Sequence, residues 1–366
     1  MHDLIRTIVA YVLILGLLVF VHEMGHFLAA RWRGVKVDVF SIGFGPALCR
    51  WHDRWGTEWR LSAIPLGGYV KPHGFEGPDD ATDEQKAAWI PGKTFHDKPV
   101  LSRAIVIVAG PLFNFGFAIL LFALCFTLAG KPEMRYDVEP DGAAALAGMK
   151  TGDVVTHVDG LGVFNIADLQ HQIAPRAGQK VMLTVMRDGH EITMPAMVGS
   201  APGAAPGSAP VGRLGVMAMA VPGKPMSVGP AFVAGIHETW TVSVETLQGV
   251  WQILSGHRSA RELGGTIRIA QMSGQVAKYG FVSIISFMAL LSVNLGLINL
   301  FPIPILDGGR LTFYTLEAIK GRPLSRRAQE IGYQAGFALI AGLFLFSTFN
   351  DLSNLGLFRW LAPHSG

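Results

Sequence analysis

Four stretches of this chain stay apolar long enough to cross a bilayer: about Leu4–Ala30, Ala104–Ala129, Phe281–Phe301 and Ile331–Phe349. A hydrocarbon core of about 30 Å needs about 20 such residues on a helix. The pattern between them differs. Residues 131–198 alternate apolar pairs with turn signals, as in Gly152-Asp153-Val154-Val155-Thr156-His157-Val158-Asp159-Gly160. A helix-like stretch Ile166–Ile173 and a strand Val181–Met186 follow, the strand running into an Arg187-Asp188-Gly189-His190 hairpin turn. Gly199–Pro210 is a Gly/Ala/Pro/Ser tract that we expect to be a flexible tether. Arg213–Met219 is a further strand candidate. Segment 229–256 places Phe232, Ile236, Trp240, Leu247 and Trp251 among polar residues at helical spacing. That pattern fits a helix on the membrane surface or one packed on the soluble part.

Half of the 366 residues are hydrophobic and 16% are charged, against roughly a quarter charged in soluble proteins. A net charge of +3 gives no reason to expect nucleic acid as a partner. The two cysteines, Cys49 and Cys125, suggest no disulfide framework. Arg31, Arg33 and Lys36 follow the first span, Lys98 and Arg103 precede the second, and Arg310, Lys320, Arg322, Arg326 and Arg327 fill the loop between the third and fourth. The positive-inside rule makes both loops cytoplasmic and puts the termini and segment 130–280 outside. A secretory signal peptide, with Arg6 as its basic region and Leu28-Ala29-Ala30 as its cleavage site, is the alternative for the first run.

That alternative would discard the most informative residues in the chain, His22-Glu23-Met24-Gly25-His26. On a helix the two histidines share a face one turn apart, within reach of one tetrahedral Zn²⁺. Glu23 is swung about 100° round and can approach an attacking water as a general base without being a ligand. Ionisable groups at membrane depth are costly and rarely idle. A catalytic zinc takes three protein ligands, and the best third candidate is Asp307. It follows Asn299-Leu300-Phe301-Pro302-Ile303-Pro304-Ile305-Leu306, where two prolines break the third span. Unwound backbone there must be buried in protein or line a wet cavity. Asn299 can donate to a developing oxyanion, while Asn294 is a weaker candidate for substrate binding or for bridging helices. Phe40–Pro46 and Ile64–Pro72 read as short strands of a small sheet near the membrane. The edge of this sheet, at Gly67, Gly68 and Tyr69, would hold an extended substrate. Among the other histidines, His52, His73, His96, His157, His171, His190, His237 and His257 read as surface or loop residues.

The motif His22–His26, Gly110-Pro111-Leu112-Phe113-Asn114 on the second span, and Asn299–Gly309 together resemble the site-2 protease family of intramembrane zinc metalloproteases. The bacterial regulator-of-sigma-E protease branch resembles the chain best, over nearly its whole length. Ala143–Gly160 similarly resembles the PDZ pattern of bacterial proteases, whose domains capture chain ends by strand addition. The resemblance implies His22, His26 and Asp307 as zinc ligands, Glu23 as base and Asn299 as an aid to substrate or intermediate. It also implies single-pass membrane proteins as substrates, an anti-sigma factor or remnant signal peptides among them, and a bacterial inner-membrane location. The enterobacterial members carry two PDZ domains in tandem, whereas this chain has room for one. Gly110, Pro111 and Asn114 we assign to helix packing.

The expected fold is therefore a polytopic α-helical membrane protein of about four spans, with a small cytoplasmic β-sheet insertion and one periplasmic PDZ domain. The segments are a first span 1–30, a cytoplasmic loop 31–102, a second span 103–129, a PDZ domain 130–220, an amphipathic helical region 221–280, a third span 281–309, a cytoplasmic loop 310–330, a fourth span 331–350 and a tail 351–366. Two rivals remain: a catalytically silent PDZ scaffold in the bilayer, and an ion transporter, which would want broken helices in two internal halves.

Overall fold

The computed structural model describes residues 2–78, 81–163, 166–202, 210–221, 223–256 and 264–354. These fall into two compact units, Met1–Phe126 with Ser227–Gly366, and Thr127–Met226. Among the described residues four helices are long and apolar enough to cross a membrane, and all four sequence-predicted runs lie in them.

The first unit opens with α1 (His2–Trp32) and a two-stranded antiparallel sheet, β1 (Val37–His52) and β2 (Glu58–Pro72). Asp53 builds the turn between the strands. Its carboxylate accepts from the Trp55 and Thr57 amides and pairs with Arg31 at 2.8 Å, tying the hairpin to the end of α1. Phe27, Phe40, Trp59 and Val106 pack where the sheet, α1 and the third helix meet. A short α2 (Asp83–Ala87) precedes α3 (Val100–Ala129), which carries Pro111 within it. His73 departs from the surface reading. It is 6% exposed, bonded through Nδ1 to Asp38, and through Nε2 it accepts the Ile90 amide. His257 lies outside the described residues, as do residues 355–366 of the tail.

The second unit contains β3 (Glu133–Val138), α4 (Ala143–Leu146), β4 (Val154–Val158), β5 (Leu161–Gly162), α5 (Ile166–Ile173), β6 (Lys180–Arg187), β7 (His190–Met197), β8 (Gly199–Ala201), β9 (Val211–Arg213) and β10 (Val216–Val221). β5, β4, β6 and β7 form one antiparallel sheet, and β3 pairs with β10. Asp188 and Gly189 both have positive φ in the two-residue turn between β6 and β7, the backbone that a tight hairpin requires. Val155, Val158, Leu169, Leu183, Val185 and Tyr136 form the core. The expected tether is strand-paired at its start, Gly199–Ala201 lying against Val211–Arg213; residues 203–209 lie outside the described residues.

The first unit resumes with α6 (Val228–Leu254), α7 (Thr266–Val276), α8 (Phe281–Leu300), α9 (Asp307–Lys320) and α10 (Arg326–Asn354). One expectation changes here. The segment 310–330, expected as a loop, is largely the helix α9, because Leu311 and Tyr314 turn one face onto the core formed by α1 and α3. α6 packs on α3 and α8. Its buried stripe is Ala231, Gly235, Thr239 and Val242, with Gly235 against the Ile119 carbonyl of α3, while Trp240 and Trp251 are exposed.

In the second unit Arg187 grips Asp153 with two guanidinium nitrogens at 2.7 and 2.6 Å, and the Lys150 amide adds a third bond. Burial pushes the Asp153 carboxyl up, but these donors outweigh it and hold it below the usual carboxylate range. A depressed folded pKa contributes stability above the ordinary aspartate value of about 3.9, and this contribution is lost as pH falls through the folded value. Asp153→Asn should therefore destabilise this unit at neutral pH by about 2 kcal/mol. Amide-exchange protection of β4 and β6 in the full-length protein measures it, and the gap between variant and wild type should close on acidification.

Candidate metal centre

α1 delivers His22 and His26 one turn apart, 8% and 9% exposed, with their Nε2 atoms 3.2 Å from each other. Asp307, on the first turn of α9, brings Oδ2 to 3.2 Å from His22 Nε2 and 3.4 Å from His26 Nε2. Oδ2 is buried without a hydrogen-bond partner. Three electron-rich atoms so placed repel one another unless a cation or a proton lies between them. Around a tetrahedral zinc with bonds of about 2.0–2.1 Å, neighbouring donors stand about 3.3 Å apart, so the triangle has the right size. Two imidazoles and one carboxylate are also the donor types of a catalytic site that keeps its fourth position open.

The supports of this triangle come from several elements. Gly110 of α3 lies flat against the imidazoles: a Cβ there would stand 2.3 Å from His26 Nε2 and 2.9 Å from His22 Cε1. Gly25 of α1 meets the Ala109 carbonyl just as closely. His26 Nδ1 donates to the Val106 carbonyl at 2.9 Å. His22 Nδ1 lies 3.0 Å from the carboxamide nitrogen of Asn114, a residue with no exposed surface. Asp307 is held from its own side. Gly308 and Gly309 pack on the carbonyls of Leu300, Phe301 and Ile303, and Gly332 and Gly336 of α10 seat Pro304. Arg103 then ties α3 to α9, pairing with Glu317 at 2.6 Å and lying over the Tyr314 ring.

Glu23 points elsewhere on α1, with the Val70 amide of β2 near its carboxylate. Gly68 sits beneath it, with a Cβ position 3.4 Å from Glu23 Cγ and 2.7 Å from the Ser41 carbonyl. Tyr69 stacks on Phe44 and accepts from Arg60. The two asparagines of α8 are engaged within the fold. Asn299 Nδ2 donates to the Leu295 carbonyl one turn back, and Asn294 Oδ1 accepts from Thr246 of α6, a helix-bridging bond. Asn114 and Gly110, assigned to packing in the sequence, instead touch the histidines. An amide carried into the middle of an apolar span was the available signal for Asn114, because lipid leaves such a group only protein partners.

Because the Gly110 contact is with imidazole and not with a flexible chain end, Gly110→Ala should displace a donor and weaken zinc binding by about tenfold or more, consistent with an overpacking cost of about 1–3 kcal/mol. Gly116→Ala on the same helix faces open space and should leave zinc content at the wild-type level. Metal analysis of the purified variants measures both.

The profile of peptidase family M50 matches residues 10–343. A protein of Agrobacterium fabrum, provisionally named a zinc metalloprotease, is 40% identical over 95% of this chain and 96% of its own length. A Rhizobium meliloti protein with the same provisional name is 37% identical over 95% and 96%. Metalloprotease MmpA of Caulobacter vibrioides is 34% identical over 97% of each. With four membrane-length helices and a donor triangle sized for zinc, the chain belongs to peptidase family M50, the site-2 proteases, and is a membrane-embedded zinc metalloendopeptidase.

Proposed function

We propose that this protein is an intramembrane endopeptidase that cuts single-pass membrane proteins within or beside their spans, with His22, His26 and Asp307 holding zinc and Glu23 as the base. The observation that carries this reading is the donor triangle itself, built from the C-terminal part of one apolar helix and the first turn after a proline-broken one. When bound, Zn²⁺ supplies Lewis acidity that polarises the scissile carbonyl and lowers the pKa of water toward neutrality. Glu23, beside the Val70 amide, takes a proton from the attacking water and passes it to the leaving amine. Asn299 stands one turn before the break and would turn its amide from Leu295 to the substrate carbonyl. A helical substrate hides its amides, so it must unwind first. The sheet of β1 and β2 offers an edge beside Glu23, near Gly67, Gly68 and Tyr69, on which an extended chain can pair.

The family and the basic residues of the two cytoplasmic loops support an inner-membrane enzyme of four spans, with its centre toward the cytoplasm and segment 130–280 outside. In the second unit a cleft of about 520 Å³, lined by Ile166, Leu169, Ile173, Val211, Gly212 and Leu214, supports a single PDZ domain that captures chain ends. Anti-sigma factors and remnant signal peptides, already trimmed outside the membrane, fit as substrates. Glu23→Gln should keep its zinc and lose about 10²–10⁴ in the rate of cleavage of a single-pass substrate lacking its outer domain. Purified protein in detergent, assayed with and without a zinc chelator, tests this. Undiminished cleavage by the variant would overturn the role of Glu23. Zinc-loaded wild type that leaves the trimmed substrate intact would favour a scaffold.

A further inference from the structure

A histidine that binds metal through Nε2 must carry its remaining proton on Nδ1, and that proton needs an acceptor. For His26 the acceptor is the Val106 carbonyl of α3 at 2.9 Å. For His22 the group in that place is the Asn114 side chain, whose carboxamide nitrogen stands 3.0 Å from Nδ1, while its oxygen is buried without a partner. A nitrogen donating to Nδ1 would force the proton onto Nε2, the atom that faces Asp307 and His26. An amide turned by 180° occupies the same space, and it brings the partnerless oxygen to the imidazole proton.

We propose that Asn114 is the positioning residue of His22: with metal present its carboxamide oxygen accepts the Nδ1 proton, which fixes the tautomer and aims Nε2 at the ion. This rests on His22 being a zinc ligand. Asn114 suits the task because it cannot drift. It has no exposed surface, and its own main-chain carbonyl accepts a bond from Ser292 of α8 at 2.8 Å, so the residue is pinned at the junction of α1, α3 and α8. Its side chain is therefore spoken for by the imidazole, while its backbone serves the packing.

The test separates the two duties in the full-length protein. Zinc affinity is measured by competition with a chromophoric chelator, and the ligand field by the absorption bands of the Co²⁺-substituted protein. Asn114→Ala should bind zinc about 10- to 100-fold more weakly, with altered cobalt bands. Asn114→Asp restores an acceptor and should bind within a few-fold of wild type. Ser292→Ala loosens the same helix junction without touching the carboxamide and should leave both readouts unchanged. Wild-type affinity and bands in Asn114→Ala would overturn the inference. So would Asn114→Asp failing to hold zinc, an outcome that decides the matter even if the alanine variant does not fold. His22→Ala serves as the reference. If it binds zinc as wild type does, the ligand assignment itself fails; if it loses zinc while the Asn114 variants do not, only the role of Asn114 falls.

Discussion

The repulsion among two imidazole nitrogens and a carboxylate oxygen, all within 3.4 Å of one another, is the constraint on which the membrane unit is organised. Such atoms separate unless a cation or a proton holds them or the scaffold forces them together. The scaffold here is stiff at each approach. Gly25 and Gly110 let α1 and α3 cross with backbone in contact, and the carbonyl-lined seats of Gly308 and Gly309 fix the first turn of α9. Each of these glycines acts by the absence of a Cβ, which gives it a conventional packing reason and a functional consequence together.

Glu23, the proposed base, is organised separately. It shares α1 with the histidines, yet its carboxylate neighbours the Val70 amide on the sheet. In the proposed mechanism the strand beside the base is the strand an unwound substrate would pair with, so the carboxylate and the peptide bond to be cut would be referred to one rigid ladder. Bringing both to one ladder spares the orientational cost that two independently moving parts would impose.

Much of this was legible in the residues. His22, Glu23 and His26 announce themselves by spacing, and Asp307 by its place after Pro302 and Pro304, although only folding shows that residues so far apart converge. The spans were legible because lipid imposes a length. What escaped has physical reasons. α9 was hidden by its arginines and lysines, which marked it as a cytoplasmic loop while Leu311 and Tyr314 quietly supplied a buried face. His73 has no ligand spacing, and nothing in its neighbours announces that Asp38 will come to meet it across the sheet.

The bond from His26 to the Val106 carbonyl has a consequence for how such a site persists through descent. A main-chain acceptor is supplied by every residue type, so position 106 can change its side chain for another of similar bulk and His26 keeps its orientation. That support leaves no mark in an alignment, since no particular letter is required to maintain it. Part of the machinery of this centre is thus written in the path of the backbone rather than in the identity of any residue.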